Sequence, residues 1–394
     1  MVKYKAEFTF VLYMFASSLL KPILIGSSYS SLILLIVAAL LCAYSFLLSI
    51  RRQKNQLIFI SIVLFVAEII LIDYLVRNNG MQMREAYNFI VYGVIPLFLL
   101  CGVRNYDALI KYFSIVSILT GLLYLADPFL GYQWSSDYMS FGFSAILPAF
   151  CGAVLYCIYF SNRRAWILIF IFFVEMVLFA NKSAILCAVI FFLVAYIGFD
   201  YSFRIKRRRF FLAISAIAFL VIFRNELLNT FFNLIGDTGI SSYSIRTIQI
   251  LLQGDASIVL DTRLSIWREA LAITRENFFL GRGIGYLESI YSNTGYAHNV
   301  FLDITSSFGI LGGIFFLYVL IKSFFRIRRF NDHGRMVFTV TIFLLWFVPM
   351  QFSLTLWRVM YFWIYWGLCY YSTKQPIIYS DDNPALTLLI EKGA

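Results

Sequence analysis

The stretch GRGIGYLESIYSNTGYAHNVFLDITSSFGILGG, residues 281–313, passes from a polar, glycine-rich segment into a long apolar one. The change falls at His298, which is one of only two histidines in the chain. The residues after it are apolar enough for a helix that crosses a lipid bilayer. The stretch therefore predicts a membrane helix with an ionisable imidazole at its mouth.

The composition of the whole chain is that of a membrane protein. Of its 394 residues, 61% are hydrophobic and 13% are charged, and the mean hydropathy is +0.81. Soluble domains average about 45–50% apolar and about 25% charged residues. We therefore expect an all-α polytopic membrane protein. Spanning helices need about 20 mostly apolar residues, and twelve candidates lie near residues 8–26, 31–50, 57–76, 88–103, 109–126, 142–160, 165–180, 183–199, 210–223, 298–321, 336–352 and 355–372.

Basic residues are concentrated in the connections on one side of this bundle. The clusters at 51–54, 163–164, 204–209 and 322–335 share a side if both termini also lie there. Cytoplasmic loops carry an excess of Lys and Arg, so both termini are expected in the cytoplasm. The clusters also account for the net charge of +11. Contact with anionic membrane lipids is therefore expected, and a nucleic-acid partner is not.

This topology divides the chain into four regions. Residues 1–223 contain nine N-terminal spans, residues 224–297 form an external loop, residues 298–372 contain three more spans, and residues 373–394 are a cytoplasmic tail. The loop is far longer than an ordinary connection. It carries six arginines, no lysine and seven acidic residues, so each arginine must be judged individually.

Part of the external loop has the pattern of an amphipathic helix. Residues 261–277 begin with Asp261, which can cap the helix, and one face carries Leu264, Trp267, Leu271 and Thr274. Such helices are expected to lie on the membrane surface and roof a cavity.

The cysteines and acids of the chain indicate neither a disulfide framework nor a metal site. The external segments contain no cluster of His, Cys, Asp and Glu at metal-ligand spacing. We therefore expect no metal and no cofactor. All six cysteines lie in or at the ends of apolar runs, as small buried side chains do: Cys42, Cys101, Cys151, Cys157, Cys187 and Cys369.

Two interpretations of His298 are open. A histidine at a helix boundary can simply reach towards water, or it can act as a proton acceptor, because imidazole titrates near neutral pH. Asn299 beside it can orient the ring or a sugar hydroxyl. Asp303 lies on roughly the opposite side of the helix, so we do not assign it as a catalytic partner.

Boundary cations also have two interpretations. Lys182, between two apolar helices, and Arg358, at the start of the last one, either extend to water or bind an anionic group. Arginine offers a planar fork of donors that matches phosphate oxygens. Arg77 and Arg84 fall in an ordinary external connection, where we expect them to be solvated.

The glycines favour tight turns and close packing. The run from Gly281 to Gly285 resembles a dinucleotide-binding fingerprint, but neither a preceding strand nor a following helix of that unit is present. A backbone turn that aims the next segment is the better interpretation. Gly309, Gly312 and Gly313 offer small surfaces for helix packing within the membrane.

Taken in order, these motifs resemble the O-antigen polymerase and ligase superfamily over roughly residues 179–320. Lys182 stands where that superfamily often has arginine, which puts bidentate phosphate binding there in doubt. Ser307 stands where an acid is common, so any role of that acid is absent. The resemblance rests on Asn181-Lys182-Ser183, Arg263-x-x-x-Trp267, Gly281-Arg282-Gly283-Ile284-Gly285, His298-Asn299-x-x-Leu302 and Phe308-Gly309-Ile310-x-Gly312.

The resemblance implies a membrane-embedded, metal-independent glycosyltransferase of the bacterial inner membrane, with the long loop in the periplasm. Its substrate would be an oligosaccharide linked to undecaprenyl diphosphate, and a chain-length regulator protein would be a partner. His298 would act as the base. The diphosphate would be held by Arg263, Lys182, Arg246, Arg282 and Arg358, while Asn299, Gly283, Gly285 and Trp267 would contact glycan or support the site.

Three functions remain open at this stage. The first is a polymerase that moves a growing glycan onto a new lipid-linked repeat unit. The second is a ligase that moves the finished glycan onto lipid A core. The third is a transporter or flippase, which twelve helices would suit. The long structured loop and the absence of a repeat between two halves count against this third function.

Overall fold

The computed structural model describes residues 4–24, 33, 36–37, 39–44, 53–77, 80–180, 182–199, 256–290, 297–353 and 355–371. This part of the chain is helical and contains no β-strand, which confirms the all-α prediction. Its helices are α1 (Lys5–Leu24), α2 (Gln53–Arg77), α3 (Met81–Leu100), α4 (Tyr106–Tyr124), α5 (Tyr138–Ile158), α6 (Ala165–Phe179), α7 (Lys182–Gly198), α8 (Ala256–Glu276), α9 (Tyr286–Ile290), α10 (Val300–Ile327), α11 (His333–Phe347) and α12 (Met360–Tyr370).

Seven of the described helices are long and apolar enough to cross a membrane, namely α1 to α5, α10 and α11. The helices α6 and α7 are apolar but shorter. The candidate span at 355–372 contains a 3₁₀ turn, Leu356–Arg358, before α12, whose 11 residues are too few to cross a bilayer alone. The candidate at 210–223 and most of that at 31–50 lie outside the described residues. The chain is thus a multi-pass membrane protein, and the count of twelve spans remains a prediction.

The centre of the bundle lies where α4 and α5 pack together. A Cβ added to Gly121 would lie 2.3 Å from the Cβ of Ala149, and one added to Gly152 would lie 2.0 Å from the Oγ of Ser117. Small residues let helix backbones approach closely, and in lipid this packing replaces the hydrophobic driving force of soluble proteins. The helices α2 and α10 differ from this pair, because only a small share of their spanning segments is buried.

One end of the bundle, at the start of α1 and α11, buries two charged side chains. The Glu7 carboxylate accepts hydrogen bonds from the backbone N–H groups of Arg104 and Asn105, at 2.7 and 2.8 Å. Arg335 belongs to the basic cluster at 322–335, yet it is buried and donates to the backbone oxygens of Leu368 and Tyr371. It therefore satisfies carbonyls at the end of α12, where a cation also favours the helix dipole.

At the opposite end of the bundle, which we call the His298 end, α10 is broken at Gly309. This residue has φ 66° and ψ −169° inside an otherwise helical run. The prediction that Gly309 serves helix packing therefore needs correction. Glycine adopts this conformation without steric cost, and the break releases backbone groups that must find partners elsewhere.

Candidate active site

The break in α10 is filled by the segment that follows α8. Ile310 N donates to Phe278 O at 2.8 Å, while Arg282 N and Gly283 N donate to Ser306 O and Ser307 O at 2.8 and 2.9 Å. These bonds satisfy the backbone groups that the missing helical turn leaves open. We call residues 277–285 the glycine loop.

The glycine loop can approach α10 this closely only because both backbones lack side chains at the contact. A Cβ on Gly309 would lie 2.3 Å from the carbonyl carbon of Phe279, and one on Gly281 would lie 2.5 Å from that of Ser307. Gly281, Gly283 and Gly285 all have positive φ, of 64°, 105° and 70°. The segment before the loop is α8 rather than a strand, so this is a turn that docks on a helix and no dinucleotide-binding unit.

His298 precedes α10 in a left-handed backbone conformation, with φ 53°. Two contacts hold it there. The indole Nε1 of Trp267 in α8 donates to Ala297 O at 2.7 Å. The side chain of Asn299 accepts from the N–H groups of Phe301 and Leu302 and so caps α10. Trp267 and Asn299 therefore fix the backbone on either side of the imidazole.

In the described structure, Trp267 and Asn299 both make contacts that position the segment around His298. Asn299 uses its oxygen for the cap, and its Nδ2 donates to Gln351 at 3.4 Å. The Asp303 carboxylate turns back towards the same loop, because Ala297 N donates to its Oδ1 at 3.4 Å. Asp303 thus lies closer to the histidine segment than its place on the helix suggested.

Electrostatics keep the imidazole of His298 neutral. Burial lowers its pKa, the charge of Arg263 lowers it further, and a hydrogen bond with the backbone of Phe352 opposes both. The resulting pKa is about 4, against an ordinary value of 6.5. At neutral pH the ring is therefore unprotonated, which is the state that a proton acceptor requires.

The helix that carries Arg263 and Trp267 differs in detail from the prediction. It runs from Ala256 to Glu276, so Asp261 lies inside it and does not cap it. Its buried face is formed by Ile266, Ala270 and Ile273, which pack against Leu287 and Ala297. Leu271 belongs to the exposed face, so only part of the predicted stripe is buried.

An ion pair in α2 anchors the glycine loop. Asp73 is buried, and its carboxylate accepts from Arg77 at 2.8 Å, from Gln82 Nε2 at 2.8 Å and from Ile284 N at 3.0 Å. Arg77 also donates to Leu280 O at 2.9 Å and to Ser307 O at 3.3 Å. The expectation that Arg77 is solvated is therefore wrong, because the residue joins α2 to both partners of the docked turn.

A second charged network surrounds α9. Arg358 donates to Glu288 at 2.8 Å and lies 3.7 Å from Glu85. Arg84 pairs with the same two carboxylates, so it too is not simply solvated. Asn88 completes the network by donating to Glu85 at 2.8 Å. These contacts join α3, α9 and the turn before α12.

The remaining predicted cations are placed as follows. Arg282 lies 3.6 Å from Glu276 and above the ring of Tyr286, and its side chain is largely exposed. Lys182 is the first residue of α7, but its side chain lies outside the described part of the chain. Arg246 also lies outside the described residues. Of the three predicted diphosphate ligands whose side chains are described, Arg263 is the one whose charge lowers the pKa of His298.

The described residues contain no group of three or more His, Cys, Asp and Glu side chains that could hold a metal ion. The described His298 site therefore consists of one neutral imidazole, one arginine and backbone held by Trp267 and Asn299.

A comparison with known families now bears on this arrangement. Residues 168–317 match the family model described as O-antigen ligase. The match supports the assignment of this region to the O-antigen polymerase and ligase superfamily. No curated protein and no solved structure matches the chain.

The O-antigen ligase match spans α6 to α10 and contains most of the predicted site. Arg263, Trp267, the glycine loop and His298 all lie within it, whereas Asp73 and Arg358 do not. Sequence reasoning missed Asp73, although a signal was present. Charges four residues apart, at Asp73 and Arg77, interrupt an otherwise apolar run, and charges within a membrane span merit a functional explanation.

Proposed function

We propose that the chain is an O-antigen polymerase, an enzyme that extends an oligosaccharide one repeat unit at a time. It would transfer the growing glycan from undecaprenyl diphosphate onto a lipid-linked repeat unit at the periplasmic face of the bacterial inner membrane. The observation that carries the proposal is a neutral His298 held beside Arg263 within the segment that matches the O-antigen ligase family.

The transfer joins two substrates at one carbon. A hydroxyl of the acceptor sugar attacks the anomeric carbon of the donor glycan, forming a new C–O bond. The bond from that carbon to the diphosphate oxygen breaks, and its electron pair leaves with the diphosphate. His298 takes the hydroxyl proton, a role that contributes about 10²–10⁴-fold to rate.

Arg263 stabilises the leaving diphosphate. Donors that are positioned where charge develops are each worth about 3–4 kcal/mol. Because cationic side chains carry this charge, the mechanism needs no metal ion. Further candidates for stabilising the diphosphate, alone or together, are Lys182, Arg246, Arg282 and Arg358.

The pair also links substrate binding to base strength. The charge of Arg263 helps to depress the pKa of His298 to about 4. A bound diphosphate would offset that charge, so the pKa would rise towards the range in which imidazole is an effective base. The histidine would thus become a stronger base when the donor is in place.

A ligase is the second candidate, and the description of the matched family favours it. The chemistry at the donor is the same, and only the acceptor changes, from a lipid-linked repeat unit to lipid A core. The lipopolysaccharide of a deletion strain separates the two. Loss of a polymerase leaves core with one repeat unit, whereas loss of a ligase leaves bare core and lipid-linked chains. A transporter has no support from the family match.

The proton-acceptor role is tested with His298→Asn. Asparagine tolerates left-handed backbone, so this variant retains the local fold better than His298→Ala. We expect glycan chain growth to fall by about 10²–10⁴-fold at normal protein levels in the membrane.

The other histidine provides a matched control. His333 begins α11 at the opposite end of the bundle and stacks on Tyr159 at 5.6 Å. His333→Asn should retain chain growth. Wild-type chain length in the His298→Asn strain would rule out the base assignment.

A further inference from the structure

Near its start, the glycine loop carries three large apolar side chains that point away from the protein. Phe278, Phe279 and Leu280 are 50%, 65% and 66% exposed. They are consecutive, and the backbone of the loop is tied down on both sides of them. We call these three residues the FFL segment.

The backbone contacts of the FFL segment fix its level relative to the helices. Phe278 O accepts from Ile310 N at 2.8 Å, and Leu280 O accepts from Arg77 at 2.9 Å. Arg77 is the last residue of α2. The segment therefore lies beside the last turn of α2 and the break in α10.

That level corresponds to the boundary of the bilayer. The helix α2 has 25 residues, so it is about 37 Å long, against about 30 Å for the hydrocarbon core. Its last turn then lies near the lipid headgroups. The apolar side chains of that turn, Leu75 and Val76, are each 72% exposed and face the same surroundings.

The FFL segment is continuous with an apolar helix face that crosses the membrane. This continuity indicates which partner covers the segment. Leu311 and Ile314, just past the break in α10, are 52% and 59% exposed on a helix that crosses the membrane. The FFL segment extends this apolar surface from α10 towards the end of α2. Beyond the FFL segment, Glu276 and Arg282 face each other at 3.6 Å.

We propose that Phe278, Phe279 and Leu280 insert among the acyl chains of the leaflet at the His298 end. The partner is the lipid bilayer itself, and the FFL segment is an interfacial anchor of the kind that aromatic and leucine side chains form. The anchor holds the glycine loop, and with it the end of α8, against the membrane. It acts whatever glycan the enzyme transfers.

The proposal is tested by placing spin labels on single introduced cysteines. Phe279→Cys and Leu280→Cys report on the anchor, and Ser289→Cys, exposed in α9, serves as a water-facing control. Each full-length variant is reconstituted in phosphatidylethanolamine and phosphatidylglycerol vesicles after it elutes as a single species. The unsubstituted chain, treated in the same way, gives the signal from the six native cysteines.

Collision rates with oxygen, which concentrates in lipid, and with a water-soluble nickel chelate decide the outcome. We expect labels at 279 and 280 to collide with oxygen several-fold more often than with nickel, and the label at 289 to show the reverse. Nickel access at 279 and 280 equal to that at 289 would place the segment in water. Low access to both reagents would show that protein covers it, and either result overturns the proposal.

Discussion

Replacing Gly309 by alanine should test how the glycine loop and α10 fit together. The new Cβ would lie 2.3 Å from the carbonyl carbon of Phe279, a backbone atom that cannot rotate away. Positive φ combined with ψ near 180° costs a residue with a Cβ about 1–3 kcal/mol. Separation of the loop would also weaken three hydrogen bonds of 2.8–2.9 Å, each worth about 0.5–1.5 kcal/mol. The expected destabilisation is therefore about 3–7 kcal/mol.

Gly131→Ala is the matched control for this change. Gly131 also has positive φ, of 68°, but a Cβ there would meet no atom within 4 Å. It should lose only the conformational part, about 1–2 kcal/mol. Unfolding of both variants is followed by heating in detergent micelles. We expect the midpoint of Gly309→Ala to fall on the order of 5–10 °C and that of Gly131→Ala to fall by a few degrees.

Activity adds a second measurement to this comparison. The docked turn joins the helix that carries Arg263 to the helix that His298 precedes, so Gly309→Ala should abolish chain growth at temperatures where the protein is still folded. Equal melting points for the two variants would show that the loop does not dock on the break as described. The same conclusion would follow if Gly309→Ala were fully active.

Two further substitutions test the residues around His298. Burial is the larger cause of the low pKa of His298, about 4, and the charge of Arg263 is the second cause. Arg263→Gln removes that second cause, so the acid limb of kcat/KM should move to higher pH but stay below 6.5. Arg268 is exposed on the same helix, so Arg268→Gln should leave the acid limb in place. An acid limb that does not move in Arg263→Gln would refute the electrostatic coupling between Arg263 and His298. Trp267→Phe keeps an aromatic ring but loses the bond to Ala297 O, about 0.5–1.5 kcal/mol, so kcat should fall by roughly 2–10-fold; unchanged kcat would show that this bond does not position the imidazole.

Hydropathy alone was enough to locate most of the described helices. Long apolar runs mark a span wherever they occur, because lipid leaves backbone groups no partner except their own helix. The start of the last helix was not predictable in this way. Residues 355–372 are largely apolar, yet a 3₁₀ turn at Leu356–Arg358 occupies the first part. Hydropathy does not report backbone conformation within an apolar run.

Gly309 shows a second limit of the sequence. A glycine in an apolar helix is usually a packing surface, and nothing local distinguishes that role from a break. The break is set by Phe278 and Gly283, which supply backbone partners from a segment more than 25 residues earlier in the chain. Only the folded structure brings these groups together.

The candidate site was predictable where motifs lie in order along the chain, and not where distant segments meet. Arg263, Trp267 and His298 could be grouped from their sequence order. The partners of Glu288 could not, because Arg84 is 204 residues away and Arg358 is 70 residues away. The spacing of residues within one segment carries no information about such contacts.

Arg263 and Arg358, two of the predicted diphosphate ligands, differ in what a diphosphate would displace. Arg358 already faces the carboxylates of Glu288 and Glu85, so an anion that bound there would have to compete with two fixed negative charges. The charge of Arg263 instead acts on the neutral imidazole of His298 and disfavours its protonation. A diphosphate bound at Arg263 would offset that charge and make protonation of the imidazole easier. On this comparison Arg358 serves mainly to clamp α9 between α3 and the last helix. Arg263 is accordingly the arginine at which we propose that substrate binding and proton transfer are coupled.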